Sequence, residues 1–194
     1  NPQFDRGTVM TVVTVLGAGG NTVSLNFTAQ QNTTIAQQLA GAITAGNKSG
    51  ALIAASDAPG APPPVPAGKH GEFVQTKNGA LFVPSGYQAL VETAKNAVVS
   101  GSAETGQMIL SGTATDLTFV AGGGSGRIAA AGSRNRIVAN TPGAWRIDTG
   151  DGDDTIEATG GGANTISAGG GRNAIMLGSG SAVLASLGDD TVSV

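Results

Sequence analysis

Large aliphatic or aromatic side chains recur through more than half of the chain at steps of eight to ten residues, most of them after a glycine-containing stretch. Counting outward from Ile156, the series runs downstream through Ile166, Ile175, Leu184 and Val192, and upstream through Ile147, Ile137, Ile128, Phe119 and Ile109. The same step reaches back through Val99, Val91, Phe82 and Phe73. Two residues after the anchors sits a second column, mostly of small residues: Ala130, Ala139, Thr149, Ala158, Ala168, Leu177, Ser186 and Val194.

Residues i and i+2 of a strand share a face. Each unit therefore turns one large and one small residue inward and then bends at glycine. Strands this short cannot bury a face alone, so the stable arrangement is a coil whose successive turns stack in parallel. Two units make one turn of about 18 to 19 residues, which predicts a mainly β, right-handed parallel β-solenoid of β-roll type. Asn78-Gly79 marks a hairpin or tight corner, and the spacing of Val91 and Val99 places Tyr87 to Ala97 in early turns rather than in a helix.

The front of the chain follows different periods. TVMTVVTVL and TVSLNF alternate as two strands around GAGGN, a hairpin pattern. Ile35, Leu39, Ala42 and Ile43 then recur at helical spacing, with Thr or Asn before them as cap and Gly46 after. A hairpin and one helix hold too little core to stand alone, so this module is expected to pack on the end of the solenoid or on another chain. Residues 56–71, SDAPGAPPPVPAGKHG, read as a stiff extended linker. The division is therefore a hairpin–helix module over 1–55, a linker over 56–71 and the solenoid over 72–194.

Composition supports a narrow core. Of 194 residues 32 are glycine, 4% are aromatic and 12% charged, too few large side chains for a wide core, while 40% hydrophobic residues argue against disorder. There is no cysteine, which removes disulfides and thiolate metal sites. No apolar run is long enough to span a membrane as a helix. The net charge of -3 and the lack of a Lys/Arg run argue against nucleic acid as a partner. An opening Asn-Pro-Gln-Phe without methionine fits a processed product.

Several units carry a more specific pattern. Gly150, Gly152, Asp154 and Ile156, then Gly160, Gly162, Asn164 and Ile166, then Gly169, Gly171, Asn173 and Ile175, and in part Gly188, Asp190 and Val192, follow G-G-x-G-x-D-x-U-x. Over about residues 120–194 the chain thus resembles the haemolysin-type (RTX) calcium-binding repeat. The resemblance implies a β-roll in which the aspartate before the anchor, with loop carbonyls, coordinates calcium between turns.

That position reads Gly126, Asn135, Trp145, Asp154, Asn164, Asn173, Ala182 and Asp190. Alternate members stack, so one edge holds Asn135, Asp154, Asn173 and Asp190, and the other has no carboxylate. Any calcium belongs to the first edge, with Asp151, Asp153, Asp154, Asn173, Asp189 and Asp190 as candidate ligands, because calcium takes its affinity from carboxylates. The alternative is a ladder of Asn and Asp bonding to the turn backbone and to each other, needing no ion. No cofactor is then required.

Other chemistry is sparse. His70 is the lone histidine, in a loop-like context, and GGGSGR at 122–127 lacks the lysine and helix of a phosphate loop; its glycines suit solenoid corners. Trp145 either covers an edge of the roll or stacks on a sugar. The threonine pattern is too irregular for an ice-binding array, and no nucleophile–base pair suggests an enzyme. Arg127 and Arg146 fall one turn apart ahead of an acid-rich stretch, so charges either pair between neighbouring turns or form an axial pattern that sets register with another subunit.

An uncapped strand edge invites pairing with another chain. The sequence therefore predicts a non-enzymatic extracellular or bacterial cell-surface protein that self-assembles head to tail into a fibre, surface layer or biofilm-matrix scaffold. Val9, Val12, Val13, Val15, Val192 and Val194 are the expected self-association residues, with cell-surface polysaccharide a further candidate partner. The alternative is a monomeric calcium-binding RTX-like adhesin or secreted module, whose last strand resembles the tails read by one-step secretion systems.

Overall fold

The computed structural model describes residues 9–57 and 62–194. The first residues of the chain and 58–61 of the Pro-rich segment, on which the processing and linker expectations rest in part, lie outside the described residues.

The chain forms a parallel β-solenoid of about seven turns, flanked by a hairpin and one helix. The hairpin pairs β1 (Thr11–Leu16) with β2 (Thr22–Phe27) antiparallel, and α1 (Gln30–Ser49) follows. From β4 onward each solenoid turn contributes one strand to each of two sheets, and β3 adds one more strand to the first. The first sheet stacks β3 (Leu52–Ser56), β4 (His70–Gln75), β6 (Tyr87–Glu92), β8 (Gln107–Ser111), β10 (Gly126–Ala130), β12 (Trp145–Asp148), β14 (Thr165–Gly171) and β16 (Ala182–Gly188). The second stacks β5 (Gly79–Phe82), β7 (Asn96–Ser100), β9 (Asp116–Val120), β11 (Arg136–Val138), β13 (Thr155–Ala158), β15 (Ala174–Leu177) and β17 (Thr191–Ser193).

The register matches the sequence period. Ile109, Ile128, Ile147 and Ile166 are successive partners in the first sheet, and Phe119, Ile137, Ile156 and Ile175 in the second. All are buried in one core with Ala130, Ala139, Ala158 and Ala168. Large residues from one sheet thus meet small and large ones from the other across a thin interior, which is how so glycine-rich a chain builds a close-packed core.

Three anchors are shifted by one position. The inward residues are Leu90 rather than Val91, Leu81 rather than Phe82, and Val183 rather than Leu184. A strand that is apolar on both faces hides its parity, because either choice gives the same hydrophobic run. Asn78-Gly79 makes a corner between sheets, not a hairpin, and Tyr87 to Ala97 forms solenoid strands.

The corners depend on glycine where backbone from one turn lies against the next. At Gly124, φ is +60° and an added Cβ would stand 1.9 Å from the Glu104 carbonyl oxygen. Neither the left-handed conformation nor the space admits a side chain. The GGGSGR segment is therefore a solenoid corner.

The module docks along the flank of the solenoid, which corrects the expectation of an end-on cap. Val13, Val15, Leu25 and Phe27 of the hairpin and Ile35, Leu39 and Ile43 of α1 share a second core with Val74, Val91, Leu110 and Ala129. These last four are successive outward residues of the first sheet. The hairpin is tied down where Thr113 N donates to Asn26 O at 2.9 Å.

The helix lies along the solenoid axis. Asn32 bonds to Asp148 on β12, while Asn47 donates to Glu72 on β4. Asn32 to Asn47 spans about 22 Å at about 1.5 Å per residue, close to the roughly 19 Å of four inter-strand steps from β4 to β12. The helix also begins before its expected cap and continues through Gly46, ending at Gly50 in the left-handed conformation. Gly46 is small because Leu52 fills its place: an added Cβ would stand 2.7 Å from Leu52 Cδ1.

Candidate functional site

The corner after the first sheet carries the polar ladder anticipated from the repeat. Asn135 N and Nδ2 donate to Asp154 Oδ1 at 2.7 and 3.0 Å, Asp154 N donates to Asn173 Oδ1 at 3.0 Å, and Asn173 N and Nδ2 donate to Asp190 Oδ1 at 2.8 and 2.9 Å. Leu117 N donates to Asn135 Oδ1 in the same way. Each side chain accepts the backbone N–H of the turn before it, so the corner amides that the sheets leave unpaired are satisfied. On the opposite corner Asn164 Oδ1 accepts Trp145 N at 2.9 Å.

The candidate metal ligands divide by location. Asp154 and Asn173 are buried within the ladder, and Asp190 adjoins it, also accepting from Ser186 Oγ. Asp151 Oδ1 accepts Gly170 N at 3.1 Å, while Asp153 accepts Arg172 N at 2.9 Å and pairs with its guanidinium at 3.3 Å. Asp153, Asn173 and Asp189 line one shallow surface recess of about 310 Å³, which Arg172 shares. Among the described residues, no three His, Cys, Asp or Glu side chains are grouped to hold a metal ion.

Their electrostatics differ accordingly. Burial raises Asp154 to about 6, against the lowering effect of its bonds from Asn135. The Ser186 hydrogen bond first, and the Asn173 bonds with it, hold Asp190 below the usual carboxylate range. The backbone and side chain of Arg172 do the same for Asp153.

Three more buried acids went unnoticed in the sequence as a group. Glu72 is pushed up to about 7 by burial, and Glu92 to about 8 by burial and then by Asp57. Burial also raises Asp148. Glu92 lies between Gln75 and Ser111 on neighbouring strands, pointing into the solenoid, and neither of its carboxyl oxygens has a protein partner. An acid at an inward position of the repeat is the signal that was available. A neutral carboxyl there avoids the cost of a buried charge.

Trp145 is fully buried, with its ring 5.5 Å from that of Phe119 and Nε1 donating to Thr141 Oγ1 at 3.1 Å. That removes it as a sugar-stacking platform and makes it a core residue. His70 opens β4 beside Leu52 rather than lying in a linker, and β3, from the end of the 1–55 segment, pairs into the first sheet.

The candidate self-association residues also separate. Val13 and Val15 are buried in the module core, whereas Val9, Val12, Val192 and Val194 are exposed. Among the described residues β1 has a partner on one side only, β2. At the far end of the solenoid, β16 and β17 are edge strands, and β3 and β5 are edges at the near end.

Charge pairing between turns is limited. Among the described residues the ion pairs are Arg134–Asp116 at 3.7 Å and Arg172–Asp153 at 3.3 Å. Arg127 and Arg146 are direct partners on β10 and β12, exposed on the outer face of the first sheet.

No protein-family model matches this chain. Neither does any curated protein or solved structure with which it was compared. The β-solenoid stands on its own geometry, and no helix among the described residues is long and apolar enough to cross a membrane.

Proposed function

We propose that this protein is a non-enzymatic structural element that assembles end to end, one solenoid stacking on the next, to build an extracellular fibre, surface layer or matrix. The observation that carries this reading is the last described turn. Among the described residues its strands β16 and β17 are edges, and Leu184 and Leu187 stand 61% and 71% exposed. β3 and β5 at the other end are edges of the same two sheets. Because all solenoid strands are parallel, the far edge of one copy and the near edge of another complement each other without closing a ring, the condition for a filament. The docked hairpin favours stacking of whole solenoids over donation of the N-terminal strand, since Val13 and Val15 are already spent on the module's own core.

Sedimentation velocity over a concentration series, with negative-stain microscopy of the most concentrated sample, tests the reading. Concentration-dependent growth into filaments is expected, and Leu187→Lys with Val192→Lys should abolish it while leaving the circular dichroism of the coil intact. A single-chain size at every concentration overturns it.

A second reading rests on the recess holding Asp153, Asn173 and Asp189. There, calcium replaces Arg172 as the partner of Asp153, and the protein acts as a calcium-responsive adhesive module. A thermal midpoint that rises with calcium and falls with chelator supports it; equal midpoints exclude it.

A further inference from the structure

The outer face of the first sheet carries two columns of side chains. The helix covers one of them, Val74, Val91, Leu110, Ala129 and Asp148. The other runs Met108, Arg127, Arg146 and Thr165 on successive strands, and it lies beside the helix rather than under it. Between this column and α1 is a groove of about 370 Å³, walled by Gln38 and Ala42 and floored by Met108, Ser125 and Arg127.

Two features of the exposed column beside this groove require explanation. Cross-strand partners bring their Cβ atoms within about 5.5 Å, and like charges placed so are destabilising. Yet Arg127 and Arg146 are such a pair, and neither takes part in an ion pair among the described residues. The carboxylate nearest to them in the sheet, Asp148, attracts Arg146 but is buried and hydrogen-bonded to Asn32, so it offsets the repulsion only in part, and no acid among the described residues lines the groove. The chain accepts a local repulsion that an anion would relieve.

The remaining surface narrows the class of ligand. Gln38 and Ser125 in the groove, and Thr165 beside Arg146 on the adjoining sheet face, offer amide and hydroxyl groups suited to alcohols, while Met108 and Ala42 present small apolar surface. No aromatic side chain lines the groove, so it lacks the stacking platform that single-stranded nucleic acid uses. The charges lie along the solenoid axis one step of about 4.8 Å apart, which suits an extended chain carrying anionic groups at intervals. Guanidinium forks grip carboxylates in a bidentate manner.

We propose that the groove between α1 and the first sheet, together with the exposed face of β12 and β14 beside it, binds a carboxylate-bearing polysaccharide, with Arg127 in the groove and Arg146 next to it holding successive carboxylates, Gln38 meeting sugar hydroxyls within the groove and Thr165 beyond it. The site is complete within one chain and does not depend on assembly.

Calorimetric titration of dilute, unassembled protein with an oligogalacturonate tests it. A neutral galactan oligomer of equal length, sodium sulfate and a single-stranded oligonucleotide serve as comparison probes. Saturable binding of the oligogalacturonate alone is expected, weakening with salt. Arg127→Gln and Arg146→Gln should each weaken it by about tenfold, Arg127→Lys by less, and the double variant should abolish it. Arg136→Gln, on the opposite sheet, should leave affinity unchanged. The proposal is overturned if the neutral oligomer binds equally, if sulfate or the oligonucleotide binds as well, if the double variant retains affinity, or if Arg136→Gln causes the same loss.

Discussion

Asn32 and Asp148 join the two parts of the molecule across 116 positions of sequence: Asn32 Nδ2 donates to Asp148 Oδ1 at 2.7 Å and to the Asp148 carbonyl at 2.9 Å. Both residues are buried, so this contact fixes the start of α1 over β12 where apolar packing alone would permit sliding. Asn32→Leu leaves a buried carboxyl without its donor, which costs about 1–3 kcal/mol. Chemical denaturation should show that loss, and a double-mutant cycle with Asp148→Ala should give strong coupling. Additive losses would mean that the contact does not hold the helix.

The raised acids set the pH dependence. Glu92, Glu72 and Asp154 hold protons in the folded state up to about 8, 7 and 6, but release them near 4.5, 4.5 and 3.8 when unfolded. Between those limits the folded chain binds more protons, so stability falls as pH rises. The contribution is complete below the unfolded values and is lost as pH climbs through the folded ones. Urea midpoints should therefore rise as pH is lowered from about 8 to about 5. Asp190, Asp153 and Glu104 are lowered and act in the opposite sense, but only in more acidic solution. Glu92→Gln should flatten the basic part of the profile; an unchanged profile would show that Glu92 is already ionised in the fold.

Asp154 separates the two meanings of the corner ladder. Its Oδ1 accepts both Asn135 bonds, while Oδ2 has no partner. Asp154→Asn keeps the acceptor and removes the titration, so stability at pH 8 should be equal or higher, with the pH dependence near 6 gone. Asp154→Ala removes the acceptor and should cost about 1–3 kcal/mol. Calcium in the recess of Asp153, Asn173 and Asp189 would make any calcium-dependent rise in thermal midpoint survive Asp154→Asn and vanish with Asp153→Asn.

How far these relationships could be read from sequence depended on periodicity. Ile109 to Ile175 gave the turn length and register, because large residues alternate there with small or polar ones. Val91, Phe82 and Leu184 misplaced the anchor by one, since Leu90, Leu81 and Val183 beside them are equally apolar. In Val91 the reason is physical: the strand is buried on both faces, inside by the core and outside by the helix. Docking of the module along the flank was hidden for a related reason. Asn32 has the composition of a helix cap, and only the fold places it against Asp148. The ladder of Asn135, Asp154, Asn173 and Asp190 was legible because its members recur at the turn length; Glu72, Glu92 and Asp148 recur at no such interval.

Gly126 and Trp145 offer the sharpest test of packing. They are direct partners on β10 and β12, and an added Cβ at Gly126 would stand 2.6 Å from the Gln107 carbonyl oxygen and 2.7 Å from Trp145 Cζ3. The indole on one side and the Gln107 backbone on the other thus occupy the volume that a side chain would fill, which explains a glycine within a strand whose φ does not demand one. Gly126→Ala forces the ring against Phe119 and should destabilise by about 1–3 kcal/mol. Trp145→Leu alone leaves a cavity and should cost about 3–5 kcal/mol. Combining the two should cost less than the sum, because the methyl group enters space the indole has vacated. Denaturation of the four proteins measures the coupling, and strict additivity would show that the two residues do not share that space.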